Sequence, residues 1–480
     1  MMITTQAEKV RGWVILPFLA CFLLLVTSVY QQISDKQDIL ALLQQGEPAA
    51  THYEELEGIY KTYGLYDQAG HLLSYGVIAS ASGYGGPITL LINVNQEGTL
   101  KNAVLVEDSE TPLYLRKVLE AGYPENLIGK TVTQPLAAHE DIDSVSGATR
   151  TTDGIMLAVE KGMFQVGKNQ LGLTVPHLKT FHFQWQDGLV LLMLLVAILA
   201  SARNMKKLRP WILVATVFVF GFMENSSLTI GNYLSIIALK MPAFSERPIW
   251  YVIVIGVFLV TLLWGRNFYC SWLCPFGAVQ EGMYKALNLA DYRPNSQLIS
   301  GARKSRWLFL WLAAMLALFF NNPGIASFEP FAVFFDGDGN TSQWVMMLLI
   351  LLFSIFILRF WCRCFCPMGA FLDFIASCRR KGQKLFRNKL EPEEGKTEKE
   401  ERQGEEEPGW AELGPVEGEA LEEGGMKREV AASRACSGCQ KGESKREQHP
   451  LSSGDKLVAA ALAAIWILII GALLQNTGII

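Results

Sequence analysis

Seven stretches of predominantly apolar residues, at about 12–30, 185–201, 211–230, 249–264, 306–321, 344–361 and 456–475, constrain this chain before any other feature does. An α-helix rises about 1.5 Å per residue and the hydrocarbon core of a bilayer is roughly 30 Å thick, so about 20 residues make one helical crossing. The third run is the least regular. Half of the 480 residues are hydrophobic and the mean hydropathy is +0.22, more than an ordinary soluble protein carries. Lys9 and Arg11 precede the first run and no small-x-small cleavage signal follows Tyr30, which predicts a retained anchor over 1–30 with its N-terminus in the cytoplasm. Residues 31–184 then lie outside. Arg203, Lys206, Lys207 and Arg209 follow the second run, and Arg266, Lys285, Arg293, Arg303 and Lys304 lie between the fourth and fifth. The outer loop 322–343 has no Lys or Arg. Every assignable loop fits one multi-pass topology in the cytoplasmic membrane: a bundle over 185–378, a cytoplasmic segment over 379–455, and a last span over 456–480 with its end outside. Within 379–455, the Glu-rich stretch 391–423 has few apolar side chains to bury and is predicted to be a disordered spacer. The net charge of −4 says little, because the charges sit in blocks on opposite sides of a membrane.

The exocytoplasmic segment alternates in hydrophobicity over 72–79, 88–94 and 100–106, with a turn at Gln96-Glu97-Gly98, which predicts an antiparallel sheet with a hairpin. Helices are expected over 113–121 and 152–166, so the class is α+β. Immediately before the second helix stands Asp143-Ser144-Val145-Ser146-Gly147-Ala148-Thr149. Small residues there permit close approach to the backbone, and a helix N-terminus offers free N–H groups to an anion. Ser-Gly-Ala-Thr is by itself an ordinary turn into a helix.

In context this segment resembles the FMN-binding domain shared by NosR/NirI-type proteins and by the RnfG and NqrC subunits of ion-pumping oxidoreductases. The resemblance implies FMN held by a phosphoester to Thr149, attached by a flavin transferase, with Asp143, Ser146, Gly147 and Ala148 in register. Two further elements come in the family's order: Gly83-Tyr84-Gly85-Gly86, and Glu107-Asp108-Ser109-Glu110-Thr111-Pro112, which implicates Glu110 and Thr111. Asp108 replaces a usual His and Leu113 a common Gly. Glycines at 83, 85 and 86 allow positive φ or close approach to a ring, on which Tyr84 is placed to stack. A covalent tether suits this compartment, where a dissociated flavin would be diluted away.

Nine cysteines fall mostly in clusters. Cys21 lies in the first run and reads as packing. Cys270-Ser271-Trp272-Leu273-Cys274-Pro275 follows the fourth run, and Cys362-Arg363-Cys364-Phe365-Cys366-Pro367 follows the sixth, two copies of one C-x-x-x-C-P unit at equivalent depth. Thiolates are soft ligands for iron–sulfur clusters, zinc or copper, and cytoplasmic thiols stay reduced. With Gly265-Arg266 and Arg359-Phe360-Trp361 as flanks, the pattern resembles the membrane iron–sulfur modules of NosR and NapH. That resemblance implies a cluster, 4Fe-4S in type, with Cys270, Cys274, Cys362 and Cys366 as ligands. Either the four share one cluster or each pair takes outside ligands. Cys364 and Cys378 read as extra thiols. Cys436 and Cys439 form a C-x-x-C, fit for half a zinc site, a redox pair, a partial cluster site or nothing. No full ferredoxin motif occurs, unlike full-length NosR, and the shorter arrangement is more like the RdhC/PceC proteins that accompany reductive dehalogenases.

Glu224 is an ionisable residue near the end of a span, either a functional contact or an interfacial loop residue. The outer loop with Glu329, Asp336 and Asp338 reads as solvated. No nucleophilic triad, HExxH, P-loop or Rossmann fingerprint appears in a plausible context, and no nucleic-acid partner is expected. The expected fold is thus a polytopic α-helical membrane protein with an inserted α+β exocytoplasmic FMN-binding domain. The expected function is electron transfer between the quinone pool, or a cytoplasmic donor, and an exocytoplasmic respiratory reductase. A redox-sensing regulator or maturation factor is the alternative, and a terminal reductase the least supported. With cofactors on opposite faces, roughly 30 Å of hydrocarbon separates them, which implies an intermediate carrier.

Overall fold

The computed structural model describes residues 19–26, 39–134, 136, 144–176, 185–225, 227–287, 295–390 and 452–477. Strands β1 (His52–Leu56), β2 (Lys61–Tyr66), β3 (Leu72–Ser82), β4 (Pro87–Val94) and β5 (Leu100–Asp108) form an antiparallel meander in sequence order. At the expected hairpin between β4 and β5, Asn95 Oδ1 accepts the Thr99 N–H at 2.7 Å and Gly98 takes φ +80°. That left-handed conformation is one glycine adopts without a Cβ clash. The first two strands escape an alternation search: β1 reads His-Tyr-Glu-Glu-Leu with no residue fully buried, and β2 has Gly64 in its middle.

The helix Thr149–Asn169 begins three residues earlier than expected, at Thr149 itself, and packs on β3 and β4 through Ile155, Ala158, Val159 and Met163 against Val77, Ala79, Leu90 and Ile92. Gly162 lets it approach closely, since a Cβ there would lie 2.5 Å from Ile92 Cδ1. The helix Ile39–Gly46 covers the other face with Leu43 against Leu65 and Leu91.

The six apolar runs from 185 onward are helical. Trp185–Ala202 and Ser453–Asn476 are long and apolar enough to cross a membrane by length and composition, and Arg209–Met223, Pro248–Trp264 and Thr341–Phe356 are shorter apolar helices. The helix Ser296–Phe319 covers the fifth run, and of the first run only residues 19–26, a helix, are described. The irregular third run changes geometry midway. Arg209–Thr216 is α-helical and Val217–Met223 is a π-helix, with Gly221 leaving room for the Phe335 ring, before the chain breaks at Asn225 (φ +43°). The sixth run ends early: Ile357 is extended and Arg359 left-handed, so Phe360 and Trp361 belong to the cysteine turn.

Polar contacts bind the sheet domain to the helices. Glu246 accepts the Ser82 N–H at 2.7 Å and pairs with Lys161, both side chains being 8% exposed. Lys240 pairs with Glu107 at 2.7 Å and Arg150 with Glu224 at 2.5 Å. The outer loop expected to be solvated takes part as well: Tyr114 donates to Asp336 at 2.6 Å and Lys117 pairs with Asp338 at 2.7 Å, because each acid meets a donor on the helix Pro112–Glu120.

Replacing one member of a buried pair leaves the other charge uncompensated. Glu246→Ala is therefore expected to destabilise the chain by about 3–5 kcal/mol, read as a lower denaturation midpoint in detergent. An unchanged midpoint would contradict the buried pair.

Candidate flavin cavity and paired thiol site

The glycine turn after β3 is organised by one carboxylate. Glu110 accepts N–H bonds from Tyr84 at 2.7 Å, Gly85 at 2.5 Å and Thr111 at 3.0 Å. A Cβ on Gly83 would overlap the Glu110 carboxylate, and one on Gly85 would lie 2.8 Å from Thr111 N. These glycines therefore serve close approach of Glu110 to the backbone, and none of 83, 85 and 86 has the positive φ that the sequence allowed. Burial pushes the Glu110 carboxyl up to about 7, against the pull of the Thr111 and Gly85 amides and the Arg247 guanidinium. Gly154, which sequence reasoning passed over, lets the long helix back onto the turn, its Cβ position lying 2.9 Å from Gly83 Cα. A glycine in the first turns of a helix was the available signal.

Tyr84 donates to the Asn225 carbonyl at 3.0 Å and meets Tyr114 edge-on at 4.9 Å. Ser146 and Gly147 are exposed, Ala148 is buried in the core, and Thr149 is half-buried at the helix start. Gly147 takes φ +76°, and a Cβ there would collide with Asp338. Asp143 lies outside the described residues.

A cavity of about 1220 Å³ opens between these elements and the helices. Tyr84, Gly85, Thr111 and Thr149 of the sheet domain line it together with Leu228, Ile253, Val254, Glu329 and Phe331. On its wall, Thr111 Oγ1 and Ser227 Oγ are buried with no hydrogen-bond partner in the protein. Such orphaned groups are what a polar ligand satisfies. The start of the 21-residue helix at Thr149 presents unpaired N–H groups of the kind a phosphate accepts, beside Arg150, which is itself paired with Glu224 at 2.5 Å. The residues present therefore fit FMN. Glu224, one of the open readings, caps the π-helix and holds Arg150. Burial pushes the Glu329 carboxyl up to about 8, opposed only by the amides of Glu329 and Ile230.

The two cysteine units repeat the same backbone bonds. Cys274 N donates to Tyr269 O at 2.9 Å and Cys366 N to Trp361 O at 3.1 Å. Gly277 N then donates to Cys274 Sγ, and Gly369 N to Cys366 Sγ, each at 3.3 Å. Cys274 and Cys366 are buried, Cys270 and Cys362 half-buried. Thiols that accept backbone N–H bonds in an apolar surround suit iron–sulfur ligation. No three His, Cys, Asp or Glu side chains among the described residues converge as ligands of one ion would; thiols around an iron–sulfur cube stand farther apart than that. Cys364 is buried, with its carbonyl accepting from Ser305, and Cys378 is exposed. Cys21 sits against Met315 Sδ at 3.5 Å, and Cys436 and Cys439 lie outside the described residues.

The cavity's wall is close to this site. Phe331 on its wall packs on Phe276 with ring centroids 5.3 Å apart, and Phe276 is two residues from Cys274. Tyr269, beside Cys270, accepts the N–H of the cavity residue Leu228 at 2.9 Å. The full hydrocarbon thickness expected between the two centres therefore does not separate this wall of the cavity from the thiols.

Since the folded Glu110 has a raised pKa, its contribution to stability is fully present below about pH 4.5 and is lost as the pH rises through about 7. Glu110→Gln is expected to flatten that dependence and, by offering an amide donor where the turn presents three N–H groups, to cost about 1–3 kcal/mol. Unfolding measured across pH 4 to 8 with the same slope in both proteins would contradict this role.

Two family models match parts of this chain. Residues 83–163 match the family model for the FMN-binding domain, and residues 246–294 and 343–389 match that for the 4Fe-4S binding domain. The chain is 26% identical over 179 residues to the regulatory protein NosR of Stutzerimonas stutzeri, covering 35% of this chain and 25% of that protein. It is 29% identical over 191 residues to the protein NirI of Paracoccus denitrificans, covering 36% and 27%. With the methylamine utilization ferredoxin-type protein MauN of Methylobacillus flagellatus it shares 26% identity over 163 residues, 32% of this chain and 56% of that one. The chain spans about a quarter of the length of the NosR and NirI relatives. It thus carries an FMN-binding domain and a 4Fe-4S binding domain and is similar, over part of its length, to NosR- and NirI-type proteins.

Proposed function

We propose that the chain is a multi-pass membrane electron-transfer protein carrying FMN esterified to Thr149 and iron–sulfur chemistry, 4Fe-4S in type, at Cys270, Cys274, Cys362 and Cys366, whether shared by the two cysteine units or completed for each by outside ligands. It links the quinone pool, or a cytoplasmic donor, to an exocytoplasmic respiratory reductase, and the RdhC/PceC resemblance makes a reductive dehalogenase the first partner to test. Bound FMN supplies both one- and two-electron chemistry, and the protein's part is to place and tune it. The observation that carries this reading is a cavity lined by both Thr149 and Phe331, whose ring packs on Phe276 beside the Cys274 turn. Arg150 and the helix start hold the phosphate end; Glu110 keeps the glycine turn closed beneath it. Ile253, Val254 and Phe331 add apolar wall to the cavity.

Coexpression with a flavin transferase tests the attachment. The wild type is expected to show yellow fluorescence that survives denaturing electrophoresis, and Thr149→Ala to show none. Fluorescence kept by the variant would overturn the assignment. The NosR relatives are named regulatory proteins, which favours the alternative of a redox-sensing regulator. Deleting the gene separates the two: lost quinol-linked reductase activity at normal enzyme abundance supports the conduit, and lost transcript or immature enzyme supports regulation.

A further inference from the structure

The two cysteine units are tied to each other crosswise. Asn267 stands three residues before Cys270 and Arg359 three before Cys362; Glu281 stands seven after Cys274 and Asp373 seven after Cys366. Asn267 Nδ2 of the first unit donates to Asp373 Oδ1 of the second at 3.1 Å, and Arg359 Nε of the second donates to Glu281 Oε2 of the first at 3.0 Å. Equivalent positions thus exchange partners, as the halves of a two-fold clasp do. An arginine from outside the units braces each acid: Arg209 grips Glu281 with two bonds of 2.7 Å, and Arg306 pairs with Asp373 at 2.8 Å.

Two departures from the symmetry also cross between the units. Arg359 donates to the Cys270 carbonyl, and Gln280 of the first unit reaches Cys362 Sγ at 3.8 Å while accepting the Trp361 N–H at 3.0 Å. Arg359 makes its bonds from a left-handed backbone, φ +54°, a conformation unfavourable for a residue with a Cβ. At Gly277 no side chain stands between the units: a Cβ there would lie 3.4 Å from Cys274 Sγ and 3.7 Å from Cys362 Sγ. Each unit brings two of these thiols, whereas a 4Fe-4S cluster takes four. Two independent centres would need no bonds exchanged between the units and would need ligands from elsewhere.

We infer that the two units close into one four-thiol site for a single cluster, and that Glu281 and Asp373 are positioning residues holding its halves in register. The inference rests on the electron-transfer reading but is separable from it by metal stoichiometry. The full chain, with its flavin, is purified anaerobically in detergent and reconstituted with ferrous iron and sulfide. About four iron and four sulfide per chain are expected, with one paramagnetic centre on reduction. Changing Cys270 and Cys274 together to serine, or Cys362 and Cys366 together, is expected to remove nearly all the iron in either case. About eight iron per chain, or half the iron kept after either pair is changed, would overturn the shared site alone. No iron bound by the wild type would overturn the electron-transfer reading with it. Glu281→Gln and Asp373→Ala are expected to lower iron occupancy several-fold, and to shift the midpoint potential of the remainder, at unchanged flavin content. Unaltered iron content and potential in both variants would overturn the positioning role.

Discussion

Glu246 and Lys161 meet where neither side chain keeps more than 8% of its surface in water, so neither charge is tolerable without the other. The pair joins the long helix of the sheet domain to the residue two positions before Pro248, where the helix leading to the first cysteine unit begins. Ser82 adds its N–H to the same carboxylate, so the end of β3 and the glycine turn are fixed to that helix too. The cavity depends on this docking, since Thr149 and Met156 of the sheet domain's helix and Arg247, Pro248, Ile249, Trp250, Ile253 and Val254 all line it. A sheet domain tethered loosely outside a bundle would form no such shared cavity.

From there the arrangement follows by short steps. The Glu110 carboxylate consumes the N–H groups of the glycine turn, which leaves Thr111 Oγ1 and the helix start at Thr149 as groups still seeking partners on the cavity's wall. Apolar wall residues lead to aromatic rings, and Phe331 on Phe276 carries the packing to the cysteine turn. The candidate flavin cavity and the paired thiols thus lie within one packed body. The electron-transfer reading needs that arrangement, and a chain of separate modules would lack it.

Much of this was legible in residues. The apolar runs predicted the helices because hydropathy over about 20 residues is a strong signal. The hairpin at Gln96-Glu97-Gly98 was legible because its glycine is forced by backbone geometry. Strands β1 and β2 were not, since β1 is too exposed to alternate and Gly64 interrupts β2. The motif residues Tyr84, Gly85, Thr111 and Thr149 line the cavity, but the mechanics of the motifs were hidden. Glycines 83 and 85 make way for Glu110 rather than for a ring, and Ala148 turns into the core. The exchange of partners among Asn267, Asp373, Arg359 and Glu281 joins positions 78 to 106 residues apart in the chain, and only tertiary structure can bring such pairs together. The acidic outer loop was misjudged for the same reason, because its partners Tyr114 and Lys117 lie more than 200 residues upstream.

The central claim is that the flavin and the thiol-bound cluster occupy one packed body, and spin relaxation tests it most directly. A flavin semiquinone is generated in the cofactor-loaded chain, and its relaxation rate is compared with the cluster oxidised and reduced. The reduced, paramagnetic cluster is expected to speed relaxation strongly, and the effect to vanish when Cys362 and Cys366 are both serine. Identical rates in the two states would contradict the account, because a separation of roughly 30 Å across hydrocarbon would then describe the centres better than the cavity does.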